Sequence, residues 1–516
     1  MTTALRTRIV TPLAILACLA LQSSGQVQGL RTPALAKQAS GASLPTNSVS
    51  HITVQPPSLW IGTSKGAARS DDGGATWQSY RDVPEFTRPG IFALALKGDT
   101  VWCATGYSQD VEGSSVQTGS GYTISADRGA SWSTLPQPLD DRTDSLIQYG
   151  NNQVSFIPIV VPEQNVTFDV ALGNGVVWVA SWAGGIRRST DHGQTWIRTV
   201  LPSSSMNSIA PTDSLPNNYY KIDPRNDNNF LGFSVHVESD SVIWAGTAGG
   251  INRSTDGGTS WVKSTRSNQA SPILSDWVIA IAGQQLRGGT KIWTTNWPAE
   301  GDNQEFGISS TTDNGSTWQN FLRGIRAYAF AFKDSIVYVA TEDGIYRTAD
   351  GGLSWAVTGS VIDPESGDRN TSAGFFSVGV LGDTVYAGNG DGVVSTVDAP
   401  GTPFGSSWRV FRAYQPVGTQ LASYAYPNPF SPRFDVTRIH YSTGGRDATV
   451  TVEVFDFGMN RVRTIVRDAG RSGRTEHEEL WNGTDDSGST VRNGVYFYRV
   501  LVGDEDPLWG KIMVLQ

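Results

Sequence analysis

The sequence predicts an all-β chain of two parts, a seven-bladed β-propeller followed by a small β-sandwich. Three observations carry this reading. A short phrase, Ser-x-Asp-x-Gly-x-Thr/Ser-Trp, recurs in six good copies and one degenerate copy. Runs of alternating apolar and polar residues accompany the copies, and alternation is the period of a strand. No helical period of useful length appears after residue 25. A repeat of this size cannot bury its own apolar face and must stack on a neighbour.

Each unit opens with a first strand, A. The runs are His51–Gln55, Ile91–Lys97, Phe168–Leu172, Phe233–Glu238, Trp277–Ala282, Ala327–Lys333 and Phe375–Leu381. A tight Gly/Asp turn leads to strand B, as in Leu59–Thr63, Val101–Thr105, Val176–Ala180, Val242–Thr247, Ile336–Thr341 and Thr384–Asn389. After a variable loop, strand C carries a Gly, an apolar residue and often an Arg, as in Gly185-Ile186-Arg187. The phrase follows, and strand D opens on its Trp. Four antiparallel strands repeated radially make a propeller blade.

The phrase supplies Asp72 and Trp77, Asp127 and Trp132, Asp191 and Trp196, Asp256 and Trp261, Asp313 and Trp318, and Asp350 and Trp355. In the seventh copy Ser395 and Asp398 are followed by a stretched turn to Ser407 and Trp408. The Asp can accept bonds from its own turn's N–H groups, and the Gly supplies a positive φ. The Trp offers a flat apolar face to wedge between blades. These residues are expected to be structural.

The phrase resembles the Asp-box, or BNR, repeat of sialidases, xyloglucan-degrading glycosidases, sortilin-type receptors and a photosystem assembly factor. The resemblance covers residues 49–414. It implies the propeller fold and leaves the chemistry open, because those families share the turn and not the activity.

The ends of the chain read differently. Arg6 and Arg8, the apolar stretch Ile9–Leu21 and Ser23-Ser24-Gly25 predict a secretory signal peptide over 1–25, too short for a membrane span. Ile15-Leu16-Ala17-Cys18 faintly matches a lipoprotein box that would lipidate Cys18, although Leu16 fits poorly. Residues 26–48 read as a flexible leader. With Cys18 removed only Cys103 remains, so no internal disulfide forms, and a buried core thiol is expected.

Residues 415–423 read as a linker, and 424–516 as a second domain of short strands and turns. Its opening Tyr426-Pro427-Asn428-Pro429-Phe430-Ser431-Pro432, the turn Trp481–Gly488 and the strand Gly494–Val500 stand in order. These resemble the Ig-like domain of flagellar hook-capping proteins. The same pattern ends proteins exported by the type IX secretion system of Bacteroidota and relatives, where it is a sorting signal. The resemblance implies export machinery as a partner and a place outside a Gram-negative cell, secreted or on its surface. The turn Asn482–Gly488 lacks the downstream Glu of an EF-hand and reads as a hairpin turn.

Antiparallel order puts the A–B and C–D turns on one face of the propeller and the B–C and D–A loops on the other. The long insertions all fall on the second face: 106–121 and 295–307 between B and C, and 136–166, 200–230, 264–276 and 358–373 between D and A. Function gathers on long loops held by a rigid scaffold. The ligand-binding candidates are therefore Asp140, Asp141, Asp144, Tyr219, Tyr220, Asp223, Trp297, Glu300, Asp363 and Glu365. Aromatics with paired carboxylates suit carbohydrate. Solvated loop acids are the bland alternative in a chain of net charge −9.

The expected role is that of an exported binding or scaffold module. The alternative is a secreted glycoside hydrolase acting on the same face. Against a sialidase, the nearest match to its Arg-Ile-Pro-like strand is Leu30-Arg31-Thr32-Pro33, which sits in the leader. Xyloglucan hydrolases clamp their substrate between two propellers, and one is present here. No metal, cofactor or nucleotide motif appears, and the acidic balance speaks against nucleic acid. The mature chain is expected to have no transmembrane span.

Overall fold

The alternating runs form strands, and the strands pair in chain order. The structure is a computed structural model describing residues 44–516, apart from 89, 112, 216–219, 300–303, 365–368, 371, 414–419, 434–435 and 474–475. The chain divides into two compact units, with the division between Ala413 and Tyr414. Among the described residues the only helical element is the 3-10 turn Asn228–Phe230. No described helix is long and apolar enough to cross a membrane.

In the first unit the recurring sheet is an antiparallel A-B-C-D meander. Blade 1 is Val49–Gln55, Ser58–Thr63, Gly66–Ser70 and Gln78–Ser79. Six further sheets of this design follow among the described residues, with strands A at Gly90–Lys97, Thr167–Leu172, Gly232–Val237, Trp277–Leu286, Ala327–Lys333 and Ser377–Leu381. Each strand A adjoins strand A of the next sheet, and the last adjoins the first. The ring therefore closes, with each strand A as the inner edge of its own sheet. The architecture is a β-propeller.

Two expectations need correction. Residues 44–48, placed with the flexible leader, pack on the propeller: Leu44 is buried in the core between blades 7 and 1, and Asn47 Oδ1 accepts from Ala413 N. The stretch 106–121 is not a loop. Strands B and C of blade 2, Thr100–Val111 and Ser114–Ser125, extend through it as one long hairpin. Residues 1–25, with Cys18, lie outside the described residues. Cys103 is fully buried, which pushes its thiol well above the usual range.

The phrase turns share one geometry. In blade 4, Ser254 Oγ donates to Asp256 Oδ1 at 2.8 Å. Ser260 N and Oγ donate to the two Asp256 carboxylate oxygens at 2.8 and 2.6 Å. Gly258 N donates to Ser254 Oγ at 2.8 Å. Such bonds to the ionised carboxylate hold Asp127, Asp191 and Asp313 down to about 2, the hydroxyl at the end of each phrase giving the largest effect. Gly258 has φ +84°, and a Cβ there would stand 2.3 Å from the ring of Trp178 in blade 3. Only glycine meets both conditions.

That contact belongs to a ladder around the ring. Each phrase Trp packs on an aromatic group of the preceding blade. Trp132 stands edge-on to Trp60, Trp196 to Trp102, Trp261 to Trp178 and Trp318 to Trp244, with centroids 6.2–6.4 Å apart. Trp355 meets Phe321, and Trp77 shares a core with Tyr386 of blade 7. Strand C arginines lie over the same B-strand rings and reach on to the next phrase. Arg69 and Arg188 donate to the backbone oxygens of Arg128 and Gly257, and Arg253 to Asn314 Oδ1. The seventh phrase departs from the others: Asp398 accepts from Arg347 and Tyr338 of blade 6.

The second unit packs the sheet Ser423–Tyr426, Thr437–Tyr441, His477–Trp481 against the sheet Arg461–Arg471, Ala448–Phe455, Gly494–Val502, Leu508–Val514. They share a core of Ile439, Val452, Trp481, Tyr498 and Ile512. Asp485 closes its turn by accepting from Ser487 N and Ser489 N, each at 2.9 Å.

Candidate functional site

The elaborated face is built from insertions that fold on themselves. Residues 136–166 and 200–230 contribute Leu146–Tyr149, Asn152–Phe156 and Lys221–Ile222, which pair as a separate three-stranded sheet. Ser208–Ile209 adds a fifth strand outside strand D of blade 4. Residues 358–373 form a short hairpin, Val361–Ile362 with Arg369–Asn370. Once a loop pairs with itself, its aromatics have a core to enter.

This decides the fate of most sequence candidates. Tyr220 and Trp297, expected as exposed loop aromatics, are 6% and 1% exposed. Tyr220 sits in the core under the three-stranded sheet, its hydroxyl on Leu201 O. Trp297 ends strand B of blade 5, and its indole N–H donates to Ala327 O at 2.9 Å. Neither presents a ring face to solvent. Asp140 is half-buried between the buried Arg187 and Arg198, at 2.8 and 2.5 Å. Asp223 is buried and receives Arg225 Nε and Nη2 at 2.9 Å, and Arg225 holds it below the usual carboxylate range. Asp363 is buried and accepts from Val410 N at 3.2 Å. Asp141 closes a local turn on Thr143, while Asp144 is exposed. Tyr219, Glu300 and Glu365 lie outside the described residues. Thus the structure does not bring the described candidates together; it uses most of them to hold the insertions.

What does converge is a set of residues at the entrance of strand A. In six blades the A–B register slips by one residue near the start of the strand. The unpaired residue is Ser50, Phe92, Phe168, Phe233, Ile279 and Tyr328 in turn, and Phe376 occupies the matching place before strand A of blade 7. A bulge re-aims a side chain and frees it from the ladder. Because strands A form the inner ring, these positions circle the channel mouth on the elaborated face. Phe168 stacks on Phe233 at 6.0 Å, and Tyr328 meets Phe376 at 5.6 Å, across the seams between blades. Phe92, Phe168, Ile279, Tyr328 and Phe376 are half-buried. Gly106 leaves the room that the Phe92 ring fills, since a Cβ there would stand 2.9 Å from it.

The surroundings are weakly charged at neutral pH. His51 follows the first rim residue, and burial pushes it down to about 4. Burial also lowers His236. Asp169 accepts from Val170 N at 2.8 Å and from Val235 N across the seam at 2.9 Å, yet burial pushes it up to about 7. Two arginines flank the rim, each laid on a ring: Arg88 over Tyr107 at 4.4 Å and Arg326 over Phe306 at 4.5 Å. The arrangement can stack on and shield an apolar or planar group. The sequence held a signal for it, the aromatic heading Phe168–Leu172 and Phe233–Glu238 and the second residue, Phe376, of Phe375–Leu381. The alternation of those runs drew attention to the strand and away from its first residue.

No protein-family model matches the chain, and no curated protein matches it. Solved structures do resemble it. A GH74 xyloglucanase from Xanthomonas campestris aligns with TM-score 0.51 at 16% identity, over 79% of this chain and 59% of that one. An ancestral GH74 enzyme aligns with TM-score 0.50 at 14% identity, over 92% of this chain and 64% of that one. YCF48 from Cyanidioschyzon merolae aligns with TM-score 0.42 at 19% identity, over 69% of this chain and 98% of that one. The chain spans less than two thirds of either GH74 protein. The first two are β-propeller proteins, and at these identities the likeness is one of fold.

Proposed function

We propose that this chain is an exported binding protein without enzymatic activity, an Asp-box propeller of seven blades with an Ig-like type IX sorting domain at its C-terminus. The propeller takes its ligand, a glycan or a surface protein, at the aromatic rim of the elaborated face. The rim carries the proposal. Half-buried rings stand at the equivalent place in four blades, Phe92, Phe168, Tyr328 and Phe376, around one opening, and apolar surface of this kind on a folded protein marks an interaction site. The carboxylates support it from the other side. Acid–base cleavage of a glycosidic bond needs two carboxyl groups facing one substrate. Asp140, Asp223 and Asp363 are instead bonded to arginines or backbone, and the last two are buried.

The test pairs glycan-array binding with a screen on chromogenic glycosides, for the full chain and for Tyr328→Ala/Phe376→Ala. Binding that weakens at least tenfold in the variant, with no turnover by either protein, is expected. Turnover by the wild type that is lost on replacing a loop carboxylate would sink the reading.

A further inference from the structure

The C-terminal unit carries an apolar face that its own core does not use. Along the four-stranded sheet, one side supplies Val452, Val454, Tyr498, Val500, Ile512 and Val514 to the core. The other side of an antiparallel sheet normally reads polar. Here it reads Phe455, Phe497, Arg499, Trp509, Lys511 and Met513. Register makes these a continuous stripe: Phe455 pairs with Phe497, Phe497 with Lys511, and Arg499 with Trp509. Phe457, in the turn beyond, lies 6.3 Å from Phe497. Phe455 is buried beneath Arg499 and Trp509, while the outer members are exposed: Phe457 is 78% accessible, Trp509 46% and Met513 40%.

The charges on the stripe are uneven. Arg499 lies over both Phe455 and Trp509, at 5.1 and 5.5 Å, and is ion-paired with Glu453. Arg461 shares that carboxylate at 3.5 Å. Lys511 stands exposed between the Phe497 and Trp509 positions, with no ion pair among the described residues.

We infer that this face is a docking surface for a protein partner that brings apolar side chains onto Phe457, Phe497 and Trp509 and sets a carboxylate against Lys511. Trp, Phe, Met and Arg are the residue types enriched at protein interfaces, and an arginine fixed between rings is preorganised as an anchor. An anionic lipid surface would call for several unpaired cations. Arg499 and Arg461 are already paired with Glu453, and Arg461 also with Asp486 at 4.0 Å, which leaves Lys511 to match. The inference rests on the sorting role proposed above, with the export apparatus as the partner.

The experiment uses the full chain in a host with a type IX system and measures surface-exposed against periplasmic protein. Phe457→Ser/Trp509→Ser and Lys511→Glu are each expected to cut surface delivery about tenfold, while Lys511→Arg stays at the wild-type level. All three should keep the wild-type melting temperature, because these side chains stand outside the core. A chain ending near Tyr414 is the reference. If that truncation is delivered normally, the sorting role fails. If it is retained while both face variants are delivered normally, sorting stands and this docking face falls. Loss of delivery that tracks a lowered melting temperature also overturns the inference. So does unchanged delivery alongside face-dependent binding to phosphatidylglycerol vesicles.

Discussion

Replacing Trp261 with alanine separates a packing role for the phrase from a binding one. Trp261 is 1% exposed and stands edge-on to Trp178 of the preceding blade, with centroids 6.2 Å apart. A buried indole withdraws about 200 Å² from water, about 5 kcal/mol at 25 cal/mol/Å². Alanine retains a little of this and leaves a cavity, so the expected loss is about 3–5 kcal/mol. Trp355 provides the internal comparison. It occupies the same phrase position but is half-buried against Phe321, so its replacement should cost about half as much. Urea unfolding of the full chain, followed by far-UV circular dichroism, measures both. Ligand affinity per folded molecule should be unchanged in either variant. An equal or larger loss for Trp355→Ala would refute the inter-blade wedge. So would a loss of binding at full stability for Trp261→Ala.

Removing the carboxylate in Asp140→Ala strands Arg187 and Arg198 in a buried site, and calorimetry should show a loss of about 3–5 kcal/mol. The folded value of Asp169 is raised to about 7 from 3.8, so the native state holds its proton more tightly than the unfolded chain. Stability is then lost as pH rises from about 4 through 7. Asp169→Asn should flatten that slope and raise stability at pH 8 by about 1–2 kcal/mol after allowance for its partial exposure, read from melting curves at pH 5 and 8. Asp127, Asp191 and Asp313 shift the opposite way, down to about 2. Their contribution is complete above about pH 4 and lost as pH falls through 2, so acid unfolding should steepen there and soften in Asp127→Asn/Asp191→Asn.

The sequence alone determined what local forces settle. The phrase folds within itself: Asp256 is bonded to residues two to four positions away, so eight residues suffice to specify the turn wherever they occur. Strand alternation is equally local, and strands A and B were legible to within a few residues in most blades. The candidate site was not legible, because burial of a loop side chain depends on what the loop pairs with. Tyr220 and Asp140 lie in insertions that fold into a sheet of their own, and Trp297 closes a strand against the next blade. Asp398 looked like one more phrase carboxylate, yet its partner Arg347 is 51 residues away. The rim exists only because seven strands A, each opening on a slipped or unpaired residue, are brought around one axis. Closure of the ring, a long-range event, turned scattered aromatics into one surface.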